Sequence, residues 1–278
     1  MHYKSIFTTW DGRESTRPAL DLAIALTRAN DGHLNLLCLG LDQVVTGLYY
    51  AGATPAALGE SIETARRKAE ELGRQAEDIL GGEDINWSVR PVVAQSAGIP
   101  HVVGAMARFN DLALLPRPYG EARSEEAAMV LEAVLFDGHC PVMVAPQGNT
   151  PVPGRRIVIG WNESAEAMAA IRAALPLITA AESVDIAVID PPRHDENQTD
   201  PGSELSRMLA RHGARVTVSV LARTVPKLSE VLLRHAADTG ADLIVMGAYG
   251  HSRFRESILG GATRDMLEET TLPVLMAH

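Results

Sequence analysis

Apolar residues in this chain gather in short, nearly unbroken runs, separated by longer stretches where they recur at helical spacing. In the second half the runs lie at 156–161, 184–190, 215–221, 242–247 and 273–277. The helical stretches fall between them, at 164–180, 203–212, 226–239 and 261–270. Short apolar runs without strict alternation predict strands buried on both faces. Strands of that kind, alternating with amphipathic helices, predict an α/β fold with a parallel sheet covered on both sides. Right-handed crossovers reduce the topologies to a few. The expected one is the half-Rossmann arrangement, five strands in the order 3-2-1-4-5, with strands 1 and 4 flanking the switch point.

The first half repeats this pattern. IFTTWDGRES (Ile6 to Ser15) matches IVIGWNESAE (Ile157 to Glu166), and LNLLCLG (Leu34 to Gly40) matches VDIAVID (Val184 to Asp190). DLALLP (Asp111 to Pro116) matches DLIVMG (Asp242 to Gly247), and CPVMVAP (Cys140 to Pro146) matches LPVLMAH (Leu272 to His278). Four matches in the same order mark a tandem duplication. The Pro- and Gly-rich segment QGNTPVPG (Gln147 to Gly154) reads as a linker. The expected domains are therefore 1–146 and 155–278, joined by 147–154. PVMVA (Pro141 to Ala145) and PVLMA (Pro273 to Ala277) would be exposed apolar sheet edges if left alone. They are expected to pair across a pseudo-twofold axis, so that the two Rossmann-like domains pack as an intramolecular pseudo-dimer.

Composition narrows the function. The 278 residues carry a net charge of −10 and a pI near 5.4. An acidic chain offers no electrostatic footprint for nucleic acid or anionic membrane. No run of about 18 apolar residues exists to span a bilayer. The first residues lack the apolar region of a secretory signal, so the expected location is cytoplasmic. Cys38 and Cys140 have no CxxC or Cys/His ligand spacing, and read as small buried hydrophobes rather than metal ligands. GxSxG, HExxH and Walker A sequences are absent, and no residue is singled out as catalytic.

One segment carries candidate chemistry. GAYGHSRFRESILGGAT (Gly247 to Thr263) follows the fourth apolar run of the second half. Gly247 and Gly250 stand at a strand end, where a missing Cβ lets backbone approach a ligand. Gly260 and Gly261 precede the next helix, whose unpaired N–H groups and dipole favour an anion. This spacing, together with the tandem repeat, resembles the universal stress protein family, whose nucleotide-binding members carry Gly-x2-Gly-x9-Gly-Ser/Thr. Gly261 stands where the family has a hydroxyl residue, and Thr263 lies two positions on. The family also uses an Asp at the end of the first strand; here those positions are Asp11 and Asn162.

The resemblance implies an ATP site, with magnesium, in the second half only. Adenine is expected near Asn162 and Val188, and phosphates near Gly247, Gly250, Gly260, Gly261 and Thr263. In the first half Pro116 and Tyr119 stand in place of Gly247 and Gly250, and Glu121, Glu125 and Glu126 add negative charge. That half reads as a degenerate nucleotide site. Bland roles stand beside these: the glycines as turn residues, Asn162 and Ser164 as a helix start, and His251, Arg253, Arg255 and Arg264 as surface groups. Trp10 and Trp161 read as core or groove-lining residues. The apolar segment 43–59 reads either as a lid on the first-half crevice or as a surface packed on the other domain. Three readings of function stay open: a nucleotide-binding stress-response protein, a nucleotide-free interaction module, and a weak nucleotide hydrolase. Protein partners are unnamed by the sequence, and so is any homodimer surface.

Overall fold

A computed structural model of the chain describes residues 2–42, 55–119, 125–148, 150–191, 200–250 and 261–278. The first half contains β1 (Ser5–Trp10), α1 (Arg17–Ala29), β2 (His33–Asp42), α2 (Pro55–Leu80) and β3 (Asn86–Gln95). It continues with α3 (Ile99–Ala107), β4 (Leu112–Pro116), α4 (Glu125–Glu132) and β5 (Val142–Ala145). The second half contains β6 (Arg156–Gly160), α5 (Ala165–Ala180), β7 (Ser183–Ile189), α6 (Ser203–Arg211) and β8 (Val216–Leu221). It ends with α7 (Leu228–Thr239), β9 (Leu243–Gly247), α8 (Gly261–Glu269) and β10 (Val274–Ala277).

The strands form a single ten-stranded sheet in the order β3-β2-β1-β4-β5-β10-β9-β6-β7-β8. Within each half the pairings are parallel and the order is 3-2-1-4-5, the expected half-Rossmann order. The halves meet where β5 and β10 pair antiparallel, with Val144 opposite Val274 and Met143 opposite Leu275. All four of these side chains are fully buried. The pairing thus removes the two apolar edges that separate halves would expose.

Side chains alternate along each strand, so each face of the sheet has its own core layer. Ile6, Leu112, Met143, Ile157 and Val245 belong to one layer, together with residues of α1, α5 and α6. Phe7, Ala113, Val142, Val158 and Ile244 belong to the other, with α3, α4, α7 and α8. Both layers run through both halves. The two cysteines are buried and unpaired in these layers. A further tie crosses the halves on the first face, where the Tyr3 hydroxyl donates to the carbonyl of Ala173 at 2.8 Å.

Candidate functional site

The site is set by the ends of three neighbouring strands. Gly160, the last residue of β6, lies opposite Ala187 of β7 on one side and Met246 of β9 on the other. The Trp161 N–H donates to the Ala187 carbonyl at 3.0 Å, extending β6 by one bond. Asn162, Val188 and Gly247 therefore sit at one carboxyl edge of the sheet, at the point where the chain leaves β6 for one face and β9 for the other. That is the crevice where open α/β sheets bind ligands.

Asn162 is exposed, and its Oδ1 accepts the backbone N–H of Ser164 at 3.2 Å. Ser164 in turn caps α5, its hydroxyl oxygen accepting the N–H of Ala167 at 3.1 Å. Glu163 between them takes a left-handed backbone, φ 61°. The loop is thus shaped by its own polar side chains, and Asp11 does the same in the first half. Asp11 Oδ1 accepts the Arg13 N–H at 3.0 Å and the Thr16 hydroxyl at 2.6 Å. Val188 is 6% exposed and belongs to the core layer beside the crevice.

The glycines divide by role. A Cβ on Gly247 would lie 2.5 Å from the backbone nitrogen of Ala167, so the start of α5 packs directly on this residue. A Cβ on Gly250 would lie 3.3 Å from Oε2 of Glu166. Gly261 opens α8, and among the described residues nothing lies within 4 Å of where its Cβ would stand. Thr263 is 5% exposed, and its hydroxyl oxygen accepts the Tyr249 N–H at 3.2 Å, tying the loop after β9 to the first turn of α8. Tyr249 itself has a left-handed backbone, φ 60°. Gly260, His251, Arg253 and Arg255 lie outside the described residues, as do Glu121, 43–54 and 192–199. Arg264 is turned to other work: it pairs with Glu268 at 2.7 Å and its guanidinium lies 5.2 Å from the ring centre of Tyr119.

Glu166 is the residue at this site that the sequence reading passed over. It stands in the first turn of α5, where a carboxylate is favoured by the helix dipole. Only the fold brings it to Gly250. Any phosphate bound at Gly250 shares that space with a carboxylate.

In the first half the matching loop serves the domain interface. An Arg117 Nη1 donates to the carbonyls of Glu268 and Thr270, at 3.1 and 3.2 Å, closing the carboxyl end of α8. Phe136 packs on Tyr249 at 5.1 Å between ring centres and edge-on against His278 at 4.7 Å. Burial, with Glu132 nearby, pushes the Tyr119 phenol up to about 12. Burial also raises Glu132 above the usual carboxylate range. Among the described residues, no cluster of three or more His, Cys, Asp or Glu could hold a metal ion. Among them also, no helix is long and apolar enough to cross a membrane.

Residues 154–278 match the family model of the universal stress protein family. The chain carries a universal stress protein domain. A universal stress protein of Synechocystis (Slr1230) is 36% identical over 69 residues, which is 25% of this chain and 23% of that protein. The match thus spans about a quarter of the relative's length. A universal stress protein from Archaeoglobus fulgidus superposes on 99% of the chain, over 96% of its own, with a TM-score of 0.72 at 16% identity. A functionally unknown protein from Pseudomonas aeruginosa PAO1 covers 98%, over 92% of its own length, with a TM-score of 0.56 at 16% identity. At such identities these two establish the fold alone, two α/β units in tandem.

Proposed function

We propose that the chain is a stress-response binding protein whose second-domain crevice takes an adenine nucleotide together with magnesium. The observation that carries this reading is the start of α8. Among the described residues nothing stands within 4 Å of a Cβ on Gly261 at this helix N-terminus, and the Thr263–Tyr249 hydrogen bond fixes the neighbouring loop beside it. Helix N-termini present unpaired N–H groups to anions. Asn162 and Val188, at the ends of the adjacent strands, offer a polar and an apolar wall for a base. The Glu166 carboxylate beside Gly250 supports the inclusion of a metal in this reading. A divalent cation between the carboxylate and the phosphates turns a repulsion into a bridge. Mg²⁺ is commonly held by one or two carboxylates plus substrate phosphates.

A second reading has its own support. The close packing of α5 on Gly247 gives that glycine a purely structural reason to exist. The chain would then be a nucleotide-free interaction module. Denaturing the purified protein and chromatographing the supernatant separates the two. Adenine nucleotide released near one per chain supports the first reading. An empty protein whose thermal unfolding is unmoved by millimolar ATP and magnesium supports the second.

A further inference from the structure

Tyr249 is the residue of the second-half crevice that is hardest to hold. Its backbone is left-handed, φ 60°, a conformation that a bulky residue keeps only where its surroundings over-determine it. Residues held in this way gather at active sites and ligand clamps. From its own half Tyr249 has one printed tie, its N–H donating to the Thr263 hydroxyl oxygen at 3.2 Å. Its neighbour Ala248 is fixed twice. The Ala248 N–H donates to the Ala277 carbonyl at 2.9 Å, and Nδ1 of His278 donates to the Ala248 carbonyl at 3.1 Å.

The side chain of Tyr249 is held from the other half. The Phe136 ring lies against it, tilted by 50° with 5.1 Å between centres, and meets the His278 ring edge-on at 4.7 Å. Both distances suit favourable aromatic pairs, roughly 4.5–7 Å. Phe136 thus braces Tyr249 and also the residue that fixes Ala248. It comes from a π-type turn, Ala133–Asp137, closed by the Gly138 N–H donating to the Ala133 carbonyl at 2.8 Å. Turns of this kind are rare and gather at functional sites. Tyr119 stands beside the pair: burial, with Tyr119 and Glu132 nearby, holds the Tyr249 phenol above its usual range. The Arg264 guanidinium of α8 lies 5.2 Å from the centre of the Tyr119 ring. The first half therefore contacts the described residues on both sides of 251–260.

The brace is one-sided. Counting back from the fifth strand of each half, Glu268 stands where Phe136 stands. Counting on from the fourth strand, Pro118 stands where Tyr249 stands. The pseudo-twofold copy of this contact has no aromatic ring on either side. We propose that Phe136, with Tyr119, is a positioning residue for the second-half crevice: the first half holds Tyr249 in the left-handed conformation from which Gly250 continues. The brace rests on the contacts alone, and its consequence for binding rests on the nucleotide reading given above. An intact brace keeps more chains competent to bind, and apparent affinity follows that fraction.

Hydrogen exchange of the Tyr249 amide, followed by NMR on the full chain, reads the brace without any nucleotide. Phe136→Ala is expected to speed this exchange about tenfold, the upper worth of one aromatic pair. Phe136→Leu keeps apolar bulk at the interface and guards against a variant that fails to fold; the same change in smaller measure is expected. Ile24→Val trims a buried side chain of α1 on the opposite face of the sheet. It is expected to lower the urea midpoint and leave Tyr249 exchange unchanged, because local opening differs from global unfolding. Calorimetric titration with ATP and magnesium then reads the consequence, with binding about three- to tenfold weaker in Phe136→Ala and unchanged in Ile24→Val. Tyr249 exchange that ignores both Phe136 variants, or rises equally in Ile24→Val, overturns the proposal. Equal ATP affinity in Phe136→Ala and the unaltered chain also overturns it. Faster Tyr249 exchange in Phe136→Ala, with no nucleotide bound by any form of the chain, supports the brace and overturns the nucleotide reading instead.

Discussion

Replacing Gly247 by alanine puts a methyl group where α5 already stands. The new carbon would lie 2.5 Å from the Ala167 nitrogen, 2.9 Å from the Glu166 carbonyl carbon and 3.0 Å from the Glu166 Cβ. Comfortable contacts are about 3.5–4.0 Å, so the helix start must retreat by about 1 Å. Two of the obstructing atoms are backbone, held by the Ser164 cap and by Ala170 and Ile171 in the core layer. Rotamer changes cannot relieve the clash. Overpacking typically costs about 1–3 kcal/mol, and a helix that must move as a body belongs at the upper end, about 2–3 kcal/mol. Gly261→Ala is the matched control, because its Cβ meets nothing within 4 Å among the described residues. That substitution is expected to be neutral or to stabilise by about 0.4–1 kcal/mol through the unfolded state. Urea unfolding of both variants, compared at equal slope, measures the difference. A loss under about 0.5 kcal/mol for Gly247→Ala, the range of ordinary surface changes, or equal losses at the two sites, refutes the packing argument.

Arg117→Met removes the donors to the Glu268 and Thr270 carbonyls and is expected to cost about 1.5–3 kcal/mol, read from the urea midpoint. His235→Ala breaks the 2.5 Å contact with Asp185, both side chains being mostly buried. Because Asp185 keeps the hydroxyls of Thr217 and Ser219, the expected loss is about 2 kcal/mol rather than the larger cost of a fully orphaned charge. Burial pushes the thiols of Cys38 and Cys140 up to about 12, so neither is expected to react with a disulfide reagent near neutral pH until urea unfolds the chain. The same two thiols and the Tyr119 phenol hold their protons longer folded than unfolded. Their contribution is complete below about pH 9 and is lost as pH rises through about 12, so the urea midpoint is expected to fall across that window.

Much of the fold was legible in the chain. The helical stretch at 164–180 and α5 at Ala165–Ala180 differ by the capping Ser164 alone. The apolar runs at 184–190 and 242–247 contain β7 and β9 with at most a one-residue offset at an end. Period and capping are local properties, and handedness of crossovers then leaves only a few strand orders. The β5–β10 pairing followed from two apolar edges that needed cover. The site was less legible, for reasons of geometry. Glu166 reaches Gly250 only because α5 packs on the end of β9. The Thr263 hydroxyl, expected as a phosphate donor, also accepts the Tyr249 N–H, a tie between loop and helix that only the fold reveals. Pro116 and Tyr119 looked like spoiled phosphate contacts, whereas the contacts of Arg117 and Tyr119 with the second half need that half in place.

Calorimetric titration of ATP with magnesium into the full chain and two variants tests the nucleotide site most directly. In Gly250→Val the added Cβ meets, among the described residues, the end of the flexible Glu166 side chain, and the added side chain is expected to block approach of phosphate to the loop. Gly261→Ser clashes with none of the described residues at its Cβ and adds a hydroxyl at the start of α8. The expected result is one site per chain, lost in Gly250→Val and strengthened by about 0.5–1.5 kcal/mol in Gly261→Ser. Unchanged affinity in Gly250→Val, or binding that disappears only when the first half is altered, contradicts a nucleotide site in the second domain.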